Sequence, residues 1–183
     1  MRIVAGEFKG RRLDGPKGAT TRPTSDKVRE ALFSILGDID GARVLDLFAG
    51  TGALGIEAVS RGAGQAVLVE RDRRMVDVAA NNVQAVDGLG ERIKVLRGEA
   101  LRFLGDYADA PFDLVFLDPP YKTAERLAAD ISALLPRVLT DDATVVTESD
   151  RRSPLQLDEN AFALRSEHTY GDTLIRILDR TAR

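Results

Sequence analysis

One short stretch of the chain, Asp118-Pro119-Pro120-Tyr121, has the composition of a binding cup for an amino group. It directly follows the apolar run at 114–117 and precedes a helical pattern, which places it at the carboxyl end of a predicted strand. Consecutive prolines stiffen the turn and lack backbone donors, while their carbonyls remain acceptors. A carboxylate, rigid carbonyls and an aromatic ring suit a flat group that carries an NH2, such as a nucleobase edge. Taken alone, the tetrapeptide also fits a strand-to-helix turn capped by Asp118.

A glycine-rich loop is the second candidate site. Gly50, Gly52 and Gly55 match the pattern G-x-G-x-x-G between a predicted strand and a predicted helix. Such glycines let a ligand approach the backbone, and the helix N-terminus favours polar or anionic groups. Glu70 ends the next predicted strand, where a carboxylate can accept hydrogen bonds from both ribose hydroxyls. These features suit NAD as well as S-adenosylmethionine, and a tight packing turn would also use the glycines.

Three acidic positions favour the methyl donor over a dinucleotide. Asp46, before the glycines, can face the amino-acid end of S-adenosylmethionine. Glu99, after the third predicted strand, is placed to contact the adenine amino group. Asp118 opens the cup, which a hydride-transfer site does not require. The residues predicted to bind the donor are Asp46, Phe48, Gly50, Thr51, Gly52, Gly55, Glu70, Arg71, Glu99 and Ala100.

The composition is that of a globular chain long enough for one domain with a proper core. Of the 183 residues, 44% are hydrophobic and 30% are charged. No apolar run approaches the ~20 residues of a membrane span, and the N-terminus has no apolar signal core, so we expect a cytoplasmic protein. Cysteine is absent and His168 is the only histidine, which excludes thiolate nucleophiles and His- or Cys-based metal sites. We expect no metal.

The charge is unevenly distributed along the chain. The net charge is −3, yet residues 1–30 carry an excess of cations and the remainder an excess of acids. A basic arm on an acidic body indicates a local contact with phosphates. On charge alone, an ordinary fluctuation on a solvated surface explains the pattern equally well.

The periodicity of the apolar residues predicts the elements that position these sites. The predicted strands are at 44–48, 66–70, 93–96, 113–118 and 143–148. The predicted helices are at 53–61, 72–86, 101–104 and from a cap at Thr123 to about 135. Strands that alternate with helices form a parallel, doubly wound α/β sheet.

Both ends of the chain depart from this alternation. Residues 2–13 are predicted to form a short β-hairpin. Thr24 or Ser25 is predicted to cap a helix that ends at Gly37. The extended stretches 162–169 and 173–178 have no helix between them, so they are predicted to pair as an antiparallel hairpin.

Together these features resemble the class I S-adenosylmethionine-dependent amino-methyltransferases. The flanks narrow the resemblance to the bacterial 16S rRNA guanine-N2-methyltransferase family called RsmD. The opening 2–13, the segment 21–33 and Tyr170-Gly171-Asp172-Thr173 all look like that family, so the resemblance covers nearly the whole chain. Glu99 is a departure, because the family would more often have Asp there.

The resemblance implies a Rossmann-like α/β fold. Its sheet would have seven strands, mostly parallel, with an antiparallel C-terminal hairpin strand and a small N-terminal β-hairpin extension. It also implies an RNA-contacting extension at residues 1–40 and a methyltransferase domain at residues 41–183. The basic positions implied to contact the RNA backbone are Arg11, Arg12, Lys17, Arg22 and Arg29.

The implied reaction is methyl transfer from S-adenosylmethionine to the N2 amine of a guanine, position 966 in the family, in 16S rRNA. The partner would be 16S rRNA within the small ribosomal subunit or its assembly intermediate, with no membrane and a monomeric enzyme. The implied catalytic residues are Asp118, Pro119, Pro120 and Tyr121. Asp118 and the Pro119 carbonyl would accept the amine hydrogens, and Tyr121 would stack on the base.

Three other functions remain open at this point. A DNA adenine-N6 or cytosine-N4 methyltransferase uses a similar cup but commonly carries a separate recognition region, for which this chain has little room. A protein-glutamine methyltransferase usually has Asn at the position of Asp118. A non-catalytic RNA-binding assembly factor would not require an intact glycine loop with Glu70 and Asp118.

Overall fold

The computed structural model describes residues 1–15 and 25–181, with the backbone alone for 121–125. The chain forms two compact units, Met1–Gly98 and Glu99–Arg183. The prediction of a separate extension at residues 1–40 stays a prediction.

In the described part of the first unit, residues 1–15 and 25–98, three parallel strands are accompanied by three helices. Its elements are α1 (Asp26–Leu36), β1 (Arg43–Asp46), α2 (Ala53–Ser60), β2 (Gln65–Glu70), α3 (Arg73–Gln84) and β3 (Ile93–Arg97). Strand β2 pairs in parallel with both β1 and β3. As predicted, Ser25 caps α1, its Oγ accepting the N–H of Val28 at 3.3 Å, and Gly37 ends the helix.

The second unit carries the antiparallel end of the sheet. Its elements are α4 (Ala100–Asp106), β4 (Phe112–Leu117), α5 (Tyr121–Leu134), a 3-10 turn (Leu135–Val138), β5 (Leu139–Asp150), β6 (Phe162–Tyr170) and β7 (Thr173–Arg180). Strand β4 is parallel to β5, and β7 is antiparallel to both β5 and β6. The predicted hairpin is therefore confirmed. Within it, the hydrogen bond and charge of Asp179 raise the pKa of Arg165.

The strands form one sheet in the order β3-β2-β1-β4-β5-β7-β6. The predicted Rossmann-like α/β class, mostly parallel with antiparallel C-terminal strands, is confirmed. Each unit buries its own apolar side chains, including Leu45, Ile56 and Leu68 in the first and Phe112 and Phe116 in the second. No helix among residues 1–15 and 25–181 is long and apolar enough to cross a membrane.

The start of α5 differs from the prediction. We expected Thr123 to cap this helix, but Pro120 is the N-cap and the helix begins at Tyr121. Pro120 has an extended backbone, with φ −54° and ψ 129°. The proline ring fixes φ near the helical value and Pro needs no N–H partner, so the chain can turn into the helix without a polar cap.

The first fourteen residues, which we call the arm, reverse direction with little regular pairing. Arg2 and Arg12 form a single antiparallel bridge. The N–H of Ile3 donates to Arg11 O, and the N–H of Leu13 donates to Met1 O, each at 3.0 Å. The predicted hairpin is therefore present as a chain reversal, held mostly by contacts outside itself.

A buried carboxylate in α2 provides the main contact of the arm. Glu57 is 1% exposed and accepts the N–H groups of Val4 at 2.8 Å and Ala5 at 3.0 Å. Arg61 forms an ion pair with the same carboxylate at 2.8 Å. Ser60 adds a hydrogen bond from its Oγ to Ala5 O at 2.6 Å. A buried charge is costly unless it is paired and hydrogen-bonded, so the arm and α2 depend on each other.

Gly6 lets the arm lie against the last turn of α2. Its φ is +84°, and a Cβ there would lie 1.7 Å from Ser60 O. Gly10 has nearly the same φ, +85°, but a Cβ there would meet nothing within 4 Å. The two glycines therefore share nearly the same φ and differ in the contact.

We expect Gly6→Ala to lower the free energy of unfolding more than Gly10→Ala. Both changes carry about 1–2 kcal/mol for the left-handed backbone, and the clash at position 6 adds roughly 2 kcal/mol. Urea unfolding followed by circular dichroism measures the difference. Equal losses for the two variants would show that the arm does not pack against α2 in this way.

Candidate active site

The glycine loop, residues 47–52, connects β1 to α2, and its glycines meet different requirements. Gly50 and Gly52 have positive φ, +53° and +81°. A Cβ on Gly52 or Gly55 would lie 2.8 Å or 2.2 Å from the side chain of Leu68 in β2. These two glycines therefore allow α2 to lie close to the sheet, whereas a Cβ on Gly50 would meet nothing within 4 Å. The backbone at Gly50 is open to the close approach of a ligand.

Two carboxylates shape this loop. Glu70, at the end of β2, accepts the N–H of Gly50 at 2.9 Å and the N–H of Asp72 at 2.8 Å. Asp46, which is 2% exposed, accepts the N–H of Gly55 at 3.2 Å. An ionised carboxylate has about four acceptor positions, so Glu70 can hold the loop and still accept hydroxyl donors.

The other residues of the first unit that we predicted to bind the donor differ in exposure. Thr51 is buried and Arg71 is exposed. Phe48 is half-buried, whereas Phe33 and Phe116 are buried in the core. The Phe48 ring belongs to the loop that follows β1 and remains partly accessible to a ligand.

In the second unit, Glu99 and Ala100 begin α4. Glu99 is the N-cap residue; its carbonyl accepts the N–H of Phe103 at 2.9 Å, and its exposed side chain makes no capping bond. Ala100 is buried. The adenine contact of Glu99 stays a prediction.

The predicted cup follows β4 directly. Asp118 is half-buried, Pro119 is buried and Pro120 is exposed; the side chain of Tyr121 lies outside the described residues. Leu117 pairs with Thr147 of β5, so the carboxyl ends of β4 and β5 are adjacent. The catalytic roles of these residues stay predictions.

The five predicted phosphate contacts fall into three groups, of which the first lies on the arm. Arg11 and Arg12 are exposed, while Lys17 and Arg22 lie outside the described residues. Arg29 requires a correction, because it is 0% exposed. Its guanidinium donates to Arg2 O at 2.6 Å and to Asp26 at 2.8 Å, so it holds the arm to α1 and does not face a phosphate.

Two further residues near the glycine loop make contacts that the sequence did not reveal. Glu57 anchors the arm, and Asn82 in α3 donates to Thr51 O at 3.0 Å. On a helix both types usually face solvent, and only a contact distant in sequence identifies them as buried. Among residues 1–15 and 25–181, no group of three or more His, Asp or Glu side chains is arranged to hold a metal ion.

Comparison with known proteins gives full-length matches. The family described as "Conserved hypothetical protein 95" matches residues 1–179. The "Putative rRNA methyltransferase YlbH" of Bacillus subtilis is 38% identical over 181 residues, 97% of each chain. The "Ribosomal RNA small subunit methyltransferase D" of Escherichia coli K12 is 35% identical over 184 residues, which cover 100% of this chain and 91% of that protein.

Solved structures give the same picture. The "Putative methyltransferase yhhF" from Escherichia coli superposes with a TM-score of 0.87 at 35% identity, covering 100% of this chain and 99% of that one. The "putative methylase HI0767" from Haemophilus influenzae gives a TM-score of 0.79 at 33% identity, covering 98% of both. SMU.776, a putative methyltransferase solved with SAH, shares only the fold, with a TM-score of 0.67 at 14% identity over 84% of this chain and 48% of that one.

The contrast among the glycines predicts which of them a nucleoside ligand needs. We expect Gly50→Ala to weaken S-adenosylhomocysteine binding by at least about tenfold, equivalent to ~1.4 kcal/mol, because the added methyl group enters the open side of the loop. The matched control is Gly37→Ala, with φ +75° and no atom within 4 Å at the end of α1. It should lower stability through its own positive φ and leave the affinity unchanged, as measured by calorimetry. An unchanged affinity in Gly50→Ala would remove Gly50 from the binding site.

Proposed function

This chain belongs to the family described as conserved hypothetical protein 95, and on that premise we propose that it is a 16S rRNA (guanine-N2)-methyltransferase that uses S-adenosylmethionine. Relatives that it matches over 97% and 91% of their length carry the names of ribosomal RNA methyltransferases. The observation that carries the proposal is the glycine loop itself, since Gly50 leaves an open approach and Glu70 holds the loop from the next strand.

The residues of this loop fit the donor. Glu70 retains acceptor capacity for ribose hydroxyls, and Asp46 is an anionic group near the start of α2, suited to the ammonium end of the ligand. Phe48, Thr51 and Arg71 complete the set in the first unit. Glu99 and Ala100 are proposed to contact the adenine. When bound, S-adenosylmethionine supplies a methyl group that its sulfonium already activates.

The residues of the chain then have to position the amine and remove its proton. Guanine N2 is a weak nucleophile because its lone pair is delocalised into the ring. We propose that the Asp118 carboxylate and the Pro119 carbonyl accept hydrogen bonds from the two N–H groups of this amine. These hydrogen bonds favour a tetrahedral geometry at the nitrogen. As the N–CH3 bond forms and the S–CH3 bond breaks, one N2 proton leaves to Asp118. Pro120 stiffens the cup, and Tyr121 stacks on the extruded base.

The substrate contact is proposed to lie on the arm. Arg11 and Arg12 are exposed cations on a segment that Glu57 holds in place. Phosphate contacts of this kind position RNA without specifying its sequence. We propose that the chain acts as a monomer in the cytoplasm, on 16S rRNA within the small subunit or its assembly intermediate.

The proposal is tested with labelled S-adenosylmethionine and small subunits from cells lacking the enzyme, with naked 16S rRNA and duplex DNA alongside. Label at a single guanine N2 in the subunits is the expected result. Label in DNA alone would show that the substrate is DNA and not rRNA, while the proposed chemistry at an amine would still hold. Donor binding without label in any substrate would favour a non-catalytic assembly factor.

Asp118→Ala is expected to lower methyl transfer by about 10²–10⁴-fold and to change S-adenosylhomocysteine affinity by less than about twofold. Asp118→Asn keeps the shape and removes the base, so it should lose a comparable factor. Single-turnover transfer and calorimetry separate the two effects. A large loss of donor affinity in Asp118→Asn would move Asp118 from proton transfer to donor binding.

The double change Arg11→Glu with Arg12→Glu should weaken RNA binding. It should also lower the slope of log affinity against log salt concentration by the equivalent of about two phosphate contacts. Charge reversal is preferable to deleting the arm, because deletion would leave the buried Glu57 without its backbone donors. The control, Arg102→Glu with Arg137→Glu, makes the same charge change at exposed positions of the second unit. Equal losses in both double variants would indicate an effect of net charge alone.

A further inference from the structure

Asn82 links the glycine loop to the arm. Its side chain is 3% exposed on α3. Its Nδ2 donates to Thr51 O at 3.0 Å and to Asp14 O at 3.1 Å, and its Oδ1 accepts the N–H of Asp14 at 2.7 Å. Since Thr51 and Asp14 both present carbonyls to the same atom, that atom must be the amide nitrogen. One side chain therefore uses both of its hydrogens and its oxygen on two separate segments.

On the loop side, this contact fixes a peptide that would otherwise turn easily. Thr51 stands between Gly50 and Gly52, both at positive φ, and glycine has few steric barriers to rotation. The peptide bond is planar, so the direction of Thr51 O also sets the direction of the Gly52 N–H. That N–H donates to Ala49 O at 2.7 Å. Asn82 thus holds the loop in the conformation in which Gly50 is open.

On the arm side, the contact fixes the last residue of the arm, Asp14. Both backbone polar groups of Asp14 bind Asn82. In sequence, Asp14 precedes the segment that contains Lys17 and Arg22. A weaker second contact joins the same two segments, since Thr51 Oγ1 lies 3.9 Å from Met1 Sδ.

We propose that Asn82 is a positioning residue that couples donor binding in the glycine loop to the placement of the RNA-binding arm. A donor that stabilises the loop also stabilises the anchor of the arm, and RNA that holds the arm in place favours the loop that binds donor. Such coupling is reciprocal by thermodynamic necessity, and we expect a factor of about five or more. This inference takes its two ligands from the proposed function.

The first test needs no RNA and no catalysis. Amide hydrogen exchange is measured at Leu13 and Asp14 with and without S-adenosylhomocysteine. In the wild-type chain, the ligand is expected to slow exchange at both amides by about fivefold or more. Asn82→Ala should remove this response and weaken S-adenosylhomocysteine binding. Asn81→Ala is the matched control, because Asn81 is the same residue type at the adjacent, exposed position of α3; it should behave as wild type.

A second variant covers the case in which Asn82→Ala does not fold. Asp14→Pro removes the N–H that the Asn82 Oδ1 accepts and keeps the bonds from Asn82 Nδ2 to Asp14 O and Thr51 O. It should weaken S-adenosylhomocysteine binding less than Asn82→Ala does and reduce the ligand response at Leu13. With RNA, the gain in affinity caused by S-adenosylhomocysteine should be smaller in Asp14→Pro than in wild type.

The outcomes separate this inference from the proposed function. Ligand-dependent protection of the arm in a chain that methylates no RNA would retain the coupling and reject the activity. The coupling is overturned if S-adenosylhomocysteine does not bind the wild-type chain, if binding leaves Leu13 and Asp14 unprotected, or if folded Asn82→Ala or Asp14→Pro shows full protection.

Discussion

The packing of the first unit depends on one short helix that is buried along nearly its whole length. On one side of α2, the absence of side chains at Gly52 and Gly55 lets Leu68 fill the space against the sheet. On the other, the buried carboxylate of Glu57 accepts two N–H groups of the arm. The same helix begins at the glycine loop, so the geometry of the loop is inherited from these two contacts. An apparently peripheral segment is therefore part of the support of the proposed donor site.

The regular elements were predictable because local sequence determines them. Alternating apolar runs and glycines marked β1, α2, β2 and α3, and the missing helix before residue 173 marked the antiparallel hairpin. The position of Glu70 at the end of β2 was predicted from the sequence, and its donor-binding role stays a proposal. Its side chain accepts two backbone N–H groups of the protein, which the spacing did not reveal. The residue proposed to bind the donor is thus also a residue that shapes the loop.

What the sequence could not show were contacts between distant segments. Arg29 looked like one more cation in a basic region, yet its burial depends on the Arg2 carbonyl and on Asp26. Glu57 and Asn82 lie on helices where polar residues usually face water, and only the path of the arm covers them. Thr123 was a reasonable cap by type, but the prolines before α5 set its start. The periodicity of the apolar residues predicts which face of a helix or strand is buried. It does not predict which segment packs against that face.

The contacts of the arm with α2 and α3 also constrain the order in which the chain folds. The groups that hold Val4 and Ala5 come from Glu57, and those that hold Asp14 come from Asn82. During synthesis, the arm therefore cannot make all of these contacts until the ribosome has made α3. Contacts of such sequence separation form late, because loop closure has to precede them. The segment translated first is therefore fixed completely only after α3 has been made.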